Sequence, residues 1–574
     1  MRKKPLLILQ NYKKKIDKSE KIFFLGRWCI PYDQEKYVNL KYCNSYHWAD
    51  KSKRQKDFRY LQKLYDRIVV ALSKKLNTLH SLNLSKREWQ LIIGHWVMIF
   101  ITKSFDSYEN LKFFCKNNKK LIVRTNFFKI DLEDIISRNY DYFSYNSLND
   151  FRYNQYIYQN IILHNFKKTI LINNVKLPSQ QQKKYHDFTE NNFLLQFVKK
   201  IINNLSFFQT NKTFFELSYI NFLYKIKLIS LLKNISYPPY INSYFKNKLD
   251  IKLRENNIKL KTLNNFEKFL NLNILKYLPK SYIEDFKDIY KNAKRFNTNY
   301  KKVFSTGSYI SNDTFKIWLS QIIRKGGKFF IMYHGGGMPS ENSIIHNHDN
   351  GVSNKVFVWH KPINGNQKQM PNLIFTKKKF KREKKIIIVT LQPNTSFYPI
   401  KTDDGPVSSL FLDDLNQKCN LAEFLIKDNQ NIKIRAVNHL VWDFKERLIN
   451  KFGKNILDKE KNFLNTLKQT KLHVSGYLST TFSESINLNI PTIGLIEKKF
   501  YNHSNKFNKL LQDFEANNIL FSNSKKLSNF LRKNDYDLDS WWGSNKINKI
   551  IDNYKKDVLG DRKEAFNNWK KIIL

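Results

Sequence analysis

His334-Gly335-Gly336-Gly337 stands directly after the apolar run Lys328 to Tyr333 (KFFIMY). A histidine at the carboxyl end of a buried strand faces the crevice where open α/β sheets take ligands, and an imidazole can move a proton there. Three glycines let backbone approach a ligand closely; the competing reading is a plain turn with a structural histidine. A second segment, Tyr477-Leu-Ser-Thr-Thr-Phe-Ser-Glu484, lies between an apolar strand and a helix. Ser479, Thr480 and Thr481 would place hydroxyls beside the unpaired N–H groups and positive end of that helix, a seat for a phosphate. Thr481 and Glu484 also have capping-box spacing, in which Glu484 closes the helix start rather than reacting. Arg435, Asn438 and His439 end another apolar run and form a further nucleotide-binding set. Arg27, Trp28, His47, Trp48 and Asp50 follow a first strand, where their rings and charges could grip a sugar or else pack in the core. His346 and His348 form an HxH pair, but no acidic cluster completes it, so neither a metal nor another cofactor is expected.

The elements that must position these residues read as strands and helices in alternation. Lys21–Leu25 is a short strand ended by Gly26, with a loop to Lys51. Apolar residues then recur at helical spacing from Asp57 to His80, and Trp89–Phe105 is apolar on nearly every side, as in a helix buried between layers. Residues 118 to about 295 are rich in Asn, Lys, Phe and Tyr with weak periodicity, and are expected to form a mostly helical insertion. Lys302–Ser305, the loop Thr306–Asp313, the helix Thr314–Arg324 and the strand Lys328–Tyr333 make a strand-loop-helix-strand unit. After a basic linker at Asn366–Glu383 the pattern restarts. Strands are expected at Lys384–Leu391, Ile432–Val437, Leu472–Ser475 and Pro491–Ile496, with helices at Pro406–Asp428, Trp442–Phe452 and Phe482–Leu488. The economical architecture is α/β, with two Rossmann-like domains facing a central cleft: 1–375 carrying the insertion, and 376–574.

Composition narrows the class. The 574 residues carry 100 Lys+Arg against 49 Asp+Glu, a formal charge of +51, with 41% hydrophobic and 15% aromatic residues. That aromatic content is too high for a disordered chain. Lys, Asn, Ile, Phe and Tyr are over-used from end to end, as coding bias toward A/T-rich codons produces, so the charge is a property of the whole surface. It would favour peripheral contact with an anionic membrane and gives no reason to expect a specific nucleic acid. The four cysteines form no CxxC pair and suit a reducing compartment. The N-terminal apolar run Leu6–Leu9 is shorter than a signal-peptide core, so a cytoplasmic protein is expected.

Taken in order, several segments resemble transferases encoded in O-antigen and other surface-polysaccharide regions of spirochaetes and other bacteria. They are FLGRWC (Phe24–Cys29), HWADKSKRQKD (His47–Asp57), the helix pair DFRYLQKLYDRIVVALSKKLNTLH and REWQLIIGHWVMIFITKSFDSYENL, HGGGMPSENSIIHNHD, IRAVNHLVWDFKERL, YLSTTFSESINLNIPTI and DLDSWW. Asp349, Asn354 and His360 depart from the pattern, where Glu, Asp and Gly are usual. The resemblance implies a GT-B-like glycosyltransferase, with a nucleotide-sugar donor on the C-terminal half and a glycan or lipid-linked glycan acceptor on the N-terminal half. Ser479, Thr480 and Thr481, helped by Arg435, would then hold the donor phosphate without a metal, and His334 would be the catalytic base. Transfer of a polyol phosphate from a CDP-linked donor is the alternative, and a basic nucleic-acid-binding protein a more distant one.

Overall fold

The structure is a computed structural model describing residues 4–11, 20–177, 201–202, 207, 211–233, 237–239, 247–341, 343–374, 381–392, 405–436, 441–560 and 564–574. Among these residues the strands form three sheets, and every pairing in them is parallel. The first holds β1 (Leu6–Ile8), β2 (Ile22–Phe24), β3 (Val123–Phe128) and β4 (Ile170–Val175) in the order β2-β1-β3-β4. The middle sheet runs in sequence order through β5 (Thr213–Phe215), β6 (Lys302–Ser305), β7 (Lys328–Met332), β8 (Lys355–Val358) and β9 (Gln367–Gln369). The third has β10 (Ile386–Thr390), β11 (Ile432–Arg435), β12 (Thr470–Ser475), β13 (Thr492–Leu495) and β14 (Leu520–Phe521) in the order β11-β10-β12-β13-β14.

The fold is therefore α/β and parallel throughout, and it departs from the sequence reading at three places. The first three residues of the run Leu6–Leu9 form β1, an inner strand of the first sheet. The described residues of the stretch 118–295 are more helical than extended, as expected, but they also supply β3 and β4, which complete the first sheet, and β5, which forms an edge of the middle one. The part before residue 376 thus holds two sheets, and part of the linker, Gln367–Gln369, is an edge strand.

Six helices bear on the site: α1 (Lys51–His80), α2 (Lys86–Asn117), α3 (Asp313–Arg324), α4 (Ile344–Val352), α5 (Thr480–Asn487) and α6 (Ala565–Ile573). α1 starts ahead of its apolar stripe because Asp50 caps it, accepting from the Ser52 N–H at 2.8 Å. Ser85 and Glu88 form a capping box at the start of α2. α2 packs against α1, α3 and α4 and is buried on nearly every side, so each polar side chain it carries inward must find a partner. Among the described residues no helix is long and apolar enough to cross a membrane.

One hydrophobic core runs through all three sheets. The outer face of the middle sheet has its own, with Phe215, Phe304 and Phe357 covered by Trp569 of the last helix, α6. The Trp569 indole N–H donates to the Pro371 carbonyl at 2.8 Å, so the end of the chain returns to the middle sheet and does not stay with the segment 376–574. Across the junction with the third sheet, Arg447 grips Glu35 through two bonds of 2.9 and 2.6 Å, Arg54 donates to the Lys499 carbonyl at 2.8 Å, and the Ser504 N–H donates to the Pro339 carbonyl at 2.8 Å.

Candidate active site

His334 leaves the carboxyl end of β7, and its Nδ1 lies 2.9 Å from the Thr306 carbonyl oxygen. A carbonyl only accepts, so Nδ1 carries the proton and Nε2 the lone pair. The Tyr219 ring stacks on the imidazole at 4.3 Å and 19°. Thr306 is itself held from below. Glu216, buried at the end of β5, accepts from the Ser305 hydroxyl, from the Thr306 N–H at 2.9 Å, from the Gly307 and Ser308 N–H groups at 3.3 Å and from the Ser308 hydroxyl at 2.9 Å. Converging backbone N–H groups of this kind make an anion nest, here filled by a carboxylate of the chain. Sequence reading singled out neither Glu216 nor Tyr219, because both follow a three-residue strand in the least periodic part of the chain.

The glycines are explained by what presses on them. A Cβ on Gly336 would lie 2.0 Å from the Trp359 ring, whose indole N–H donates to the Tyr333 carbonyl at 2.9 Å. A Cβ on Gly337 would lie 2.3 Å from the Leu478 carbonyl oxygen and 2.8 Å from the Ser479 Cα. The loop is thus held between an indole and the loop that follows β12. Ser479 Oγ donates to the Gly336 carbonyl at 3.3 Å, and the Gly336 N–H donates to Thr480 Oγ1 at 3.4 Å. His334–Gly337 and Leu478–Thr480, read separately in the sequence, adjoin as one unit.

α5 opens at this junction. Its N-cap is Ser479, which makes no side-chain capping bond, so the Thr481–Glu484 capping box is not formed: Thr481 already lies inside the helix. Glu484 sits further along, where burial pushes its carboxyl above the usual range against the opposing charge of Arg435. Burial also raises the Tyr477 phenol, while the Arg435 charge pulls it down. Below the helix, Ser485 Oγ lies 2.7 Å from Nδ1 of His473, and Thr390 Oγ1 lies 2.9 Å from its Nε2. Complete burial lowers this histidine to about 3, keeping it neutral, and the chain of bonds fixes α5 onto β10 and β12.

Arg435 does not reach out to a phosphate. It pairs with Asp458, donates to the Glu460 carbonyl at 2.8 Å and the Lys461 carbonyl at 3.1 Å, and lies over the Phe463 ring. Its influence on Glu484 and Tyr477 is through its charge. Asn438 and His439 lie outside the described residues.

The acceptor-side set also changes meaning. Trp28 and Trp48 are 4% and 0% exposed, so neither ring has a face to offer a sugar. Their indole N–H groups donate to the Leu9 carbonyl at 3.2 Å and to Asp57 at 2.8 Å. His47 is buried with Nε2 3.0 Å from Asp106, and Asp50 is the cap of α1. Lys53 stands among His47, Asp57 and Glu109, so an ammonium fills the space a cation would take there. Arg27 remains at the surface, 3.8 Å from Asp413.

The model of one protein family, the LIC12162 family transferases, matches residues 5–573. The chain belongs to the LIC12162 transferase family. It is therefore an enzyme, and both loops of the junction fall within the match. No curated protein matches this LIC12162 family transferase in sequence. Solved structures that resemble parts of it include these three. An O-GlcNAc transferase variant from Thermobaculum terrenum is 8% identical over 55% of this chain and 60% of its own, under two thirds of its length, with a TM-score of 0.28. A glycosyltransferase from Rickettsia africae is 12% identical over 54% of this chain and 87% of its own, with a TM-score of 0.28. A UDP-forming trehalose-phosphate synthase from Burkholderia xenovorans is 8% identical over 52% of this chain and 80% of its own, with a TM-score of 0.29.

Proposed function

We propose that this transferase moves a sugar from a nucleotide-activated donor to the hydroxyl of a surface-polysaccharide glycan, free or lipid-linked. The observation that carries the reading is the contact of the His334–Gly337 loop with the start of α5, which supports a proton acceptor and a phosphate seat acting together at one junction. The donor diphosphate would lie at the α5 N-terminus, met by its N–H groups and by Ser479, Thr480 and Thr481. The two hydroxyl contacts to the glycine loop, at 3.3 and 3.4 Å, would hold the loops together around the phosphate, and the Thr480 hydroxyl, which accepts in its contact, keeps its own proton to donate to a phosphate oxygen. The acceptor oxygen bonds to the sugar C1 as the bond from C1 to the phosphate oxygen breaks. The electron pair leaves with the nucleotide, and Nε2 of His334 takes the acceptor proton. Positive charge at the helix end meets the charge building on the leaving group, a task that other sites give to a metal. A lysine-rich surface would keep the enzyme beside the anionic cytoplasmic leaflet, where a lipid-linked acceptor is presented.

The test is a thermal-shift panel of UDP, GDP, CDP, CMP, dTDP and a short RNA, each with and without Mg²⁺. A ligand at 100 times its Kd stabilises by about 2.7 kcal/mol. The reading expects one mononucleotide to raise the melt and the Thr480→Ala/Thr481→Ala variant to abolish the rise. A response to RNA alone, or one indifferent to both substitutions, overturns it.

A further inference from the structure

His95 of α2 and His348 and Asp349 of α4 are almost fully buried, and each places a ligand atom within 4.8 Å of the other two. The two imidazoles face each other with centroids 4.2 Å apart at 54°. This joins one histidine of the HxH pair to a distant histidine and a carboxylate. His346 is not part of this cluster.

We propose that His95, His348 and Asp349 form a site for a divalent transition-metal ion, which clasps α2 to α4 between the first and middle sheets. Two imidazoles and one carboxylate suit Zn²⁺, Fe²⁺, Co²⁺ or Mn²⁺ and are a poor set for Mg²⁺ or Ca²⁺, which take oxygen ligands. The surroundings have the form of an outer shell that orients ligands. The Tyr65 hydroxyl lies 2.8 Å from His348 Nδ1, which makes Nε2 the ligating nitrogen. The Tyr333 hydroxyl donates to Asp349 Oδ2 at 2.9 Å. A Cβ on Gly94 would lie 2.5 Å from both His348 Nδ1 and the Tyr65 oxygen, so the absence of a side chain there lets this pair press against the α2 backbone. Ligand atoms about 2.0–2.2 Å from a metal stand roughly 3.3 Å apart, so the trio closes by no more than about 1.5 Å. The assignment of this site does not depend on the proposed sugar transfer.

The test uses the full-length protein, purified without chelator, and measures metal content, then strips the ion and titrates Co²⁺ while recording its ligand-field absorption. The expected result is about one metal per chain and a tetrahedral or five-coordinate Co²⁺ spectrum, with affinity falling on the order of 10–100-fold or more in His95→Gln and Asp349→Asn. Chelation should lower the melting temperature of the wild type, Zn²⁺ should restore it, and neither should move that of His95→Gln. Purified wild type that holds no stoichiometric metal and gives no Co²⁺ band overturns the proposal. So does Co²⁺ binding that survives both substitutions, a result that does not depend on the variants matching wild-type stability.

Discussion

Gly337→Ala is the sharpest perturbation of the junction, because the obstacle is backbone. The new Cβ would stand 2.3 Å from the Leu478 carbonyl oxygen, where ordinary contact begins at 3.4 Å, so the two loops must part by about 1 Å. The contacts joining them, at 3.3 and 3.4 Å, are already long and would not survive that separation. Two lost hydrogen bonds at ~0.5–1.5 kcal/mol each, with overpacking strain of ~1–3 kcal/mol, destabilise the junction by roughly 2–6 kcal/mol. If the phosphate seat needs the loops joined, at least about 1.4 kcal/mol of this should appear as a tenfold weaker Kd for the nucleotide found in the thermal-shift panel, read by calorimetry. Gly365→Ala is the control: nothing lies within 4 Å of its added Cβ, and it should stay within about 0.5 kcal/mol of wild type. A Gly337→Ala enzyme that melts and binds nucleotide like Gly365→Ala would refute the claim that the two loops act as one site.

Three further outcomes follow from the geometry. Glu216→Gln puts an amide donor among N–H groups that need an acceptor, loosening the Thr306 carbonyl that orients His334; kcat should fall on the order of tenfold or more with donor KM little changed, whereas a purely structural role would shift only the melting temperature. A double-mutant cycle of Glu35→Gln and Arg447→Ala should give a coupling of about 1–3 kcal/mol in urea unfolding, since the pair is bidentate and mostly buried; a coupling near zero would mean the halves do not rely on it. Burial lowers His80, His346 and His360 to about 4 and His473 to about 3, so below pH 6.5 the unfolded chain binds up to four more protons than the folded one and stability falls as pH falls. Asp285, raised to about 6 by burial, works the other way and offsets one of them. Near pH 5 the net loss approaches roughly 4 kcal/mol per pH unit, and an unchanged urea midpoint between pH 7 and pH 5 would contradict it.

What was legible in the sequence, and what was not, follows from how tertiary contacts are written in it. The strand ends were readable, since KFFIMY before His334 and the apolar run before Tyr477 are long enough to be buried strands and stop at loop residues. β1 and β5 were not, because three apolar residues in a chain rich in Leu, Ile and Phe look like any other three. The roles of Trp28 and Trp48 stayed open between sugar and core for a related reason: a ring type used from end to end does not say whether it faces core or cleft. His95 could be seen to be buried, but its meeting with His348 depends on how α2 crosses α4. Glycine behaves differently. Only 16 occur, and codon bias toward A/T works against them, so those kept at tight sites carry information that the abundant residues do not. Gly94, Gly336 and Gly337 each stand where a distant part of the chain comes within 2.5 Å of the position a Cβ would take. One marks the buried histidines, and two mark the junction where we propose the transferase chemistry. In a chain of this composition, the sparse glycines locate the contacts that the aromatics and lysines obscure.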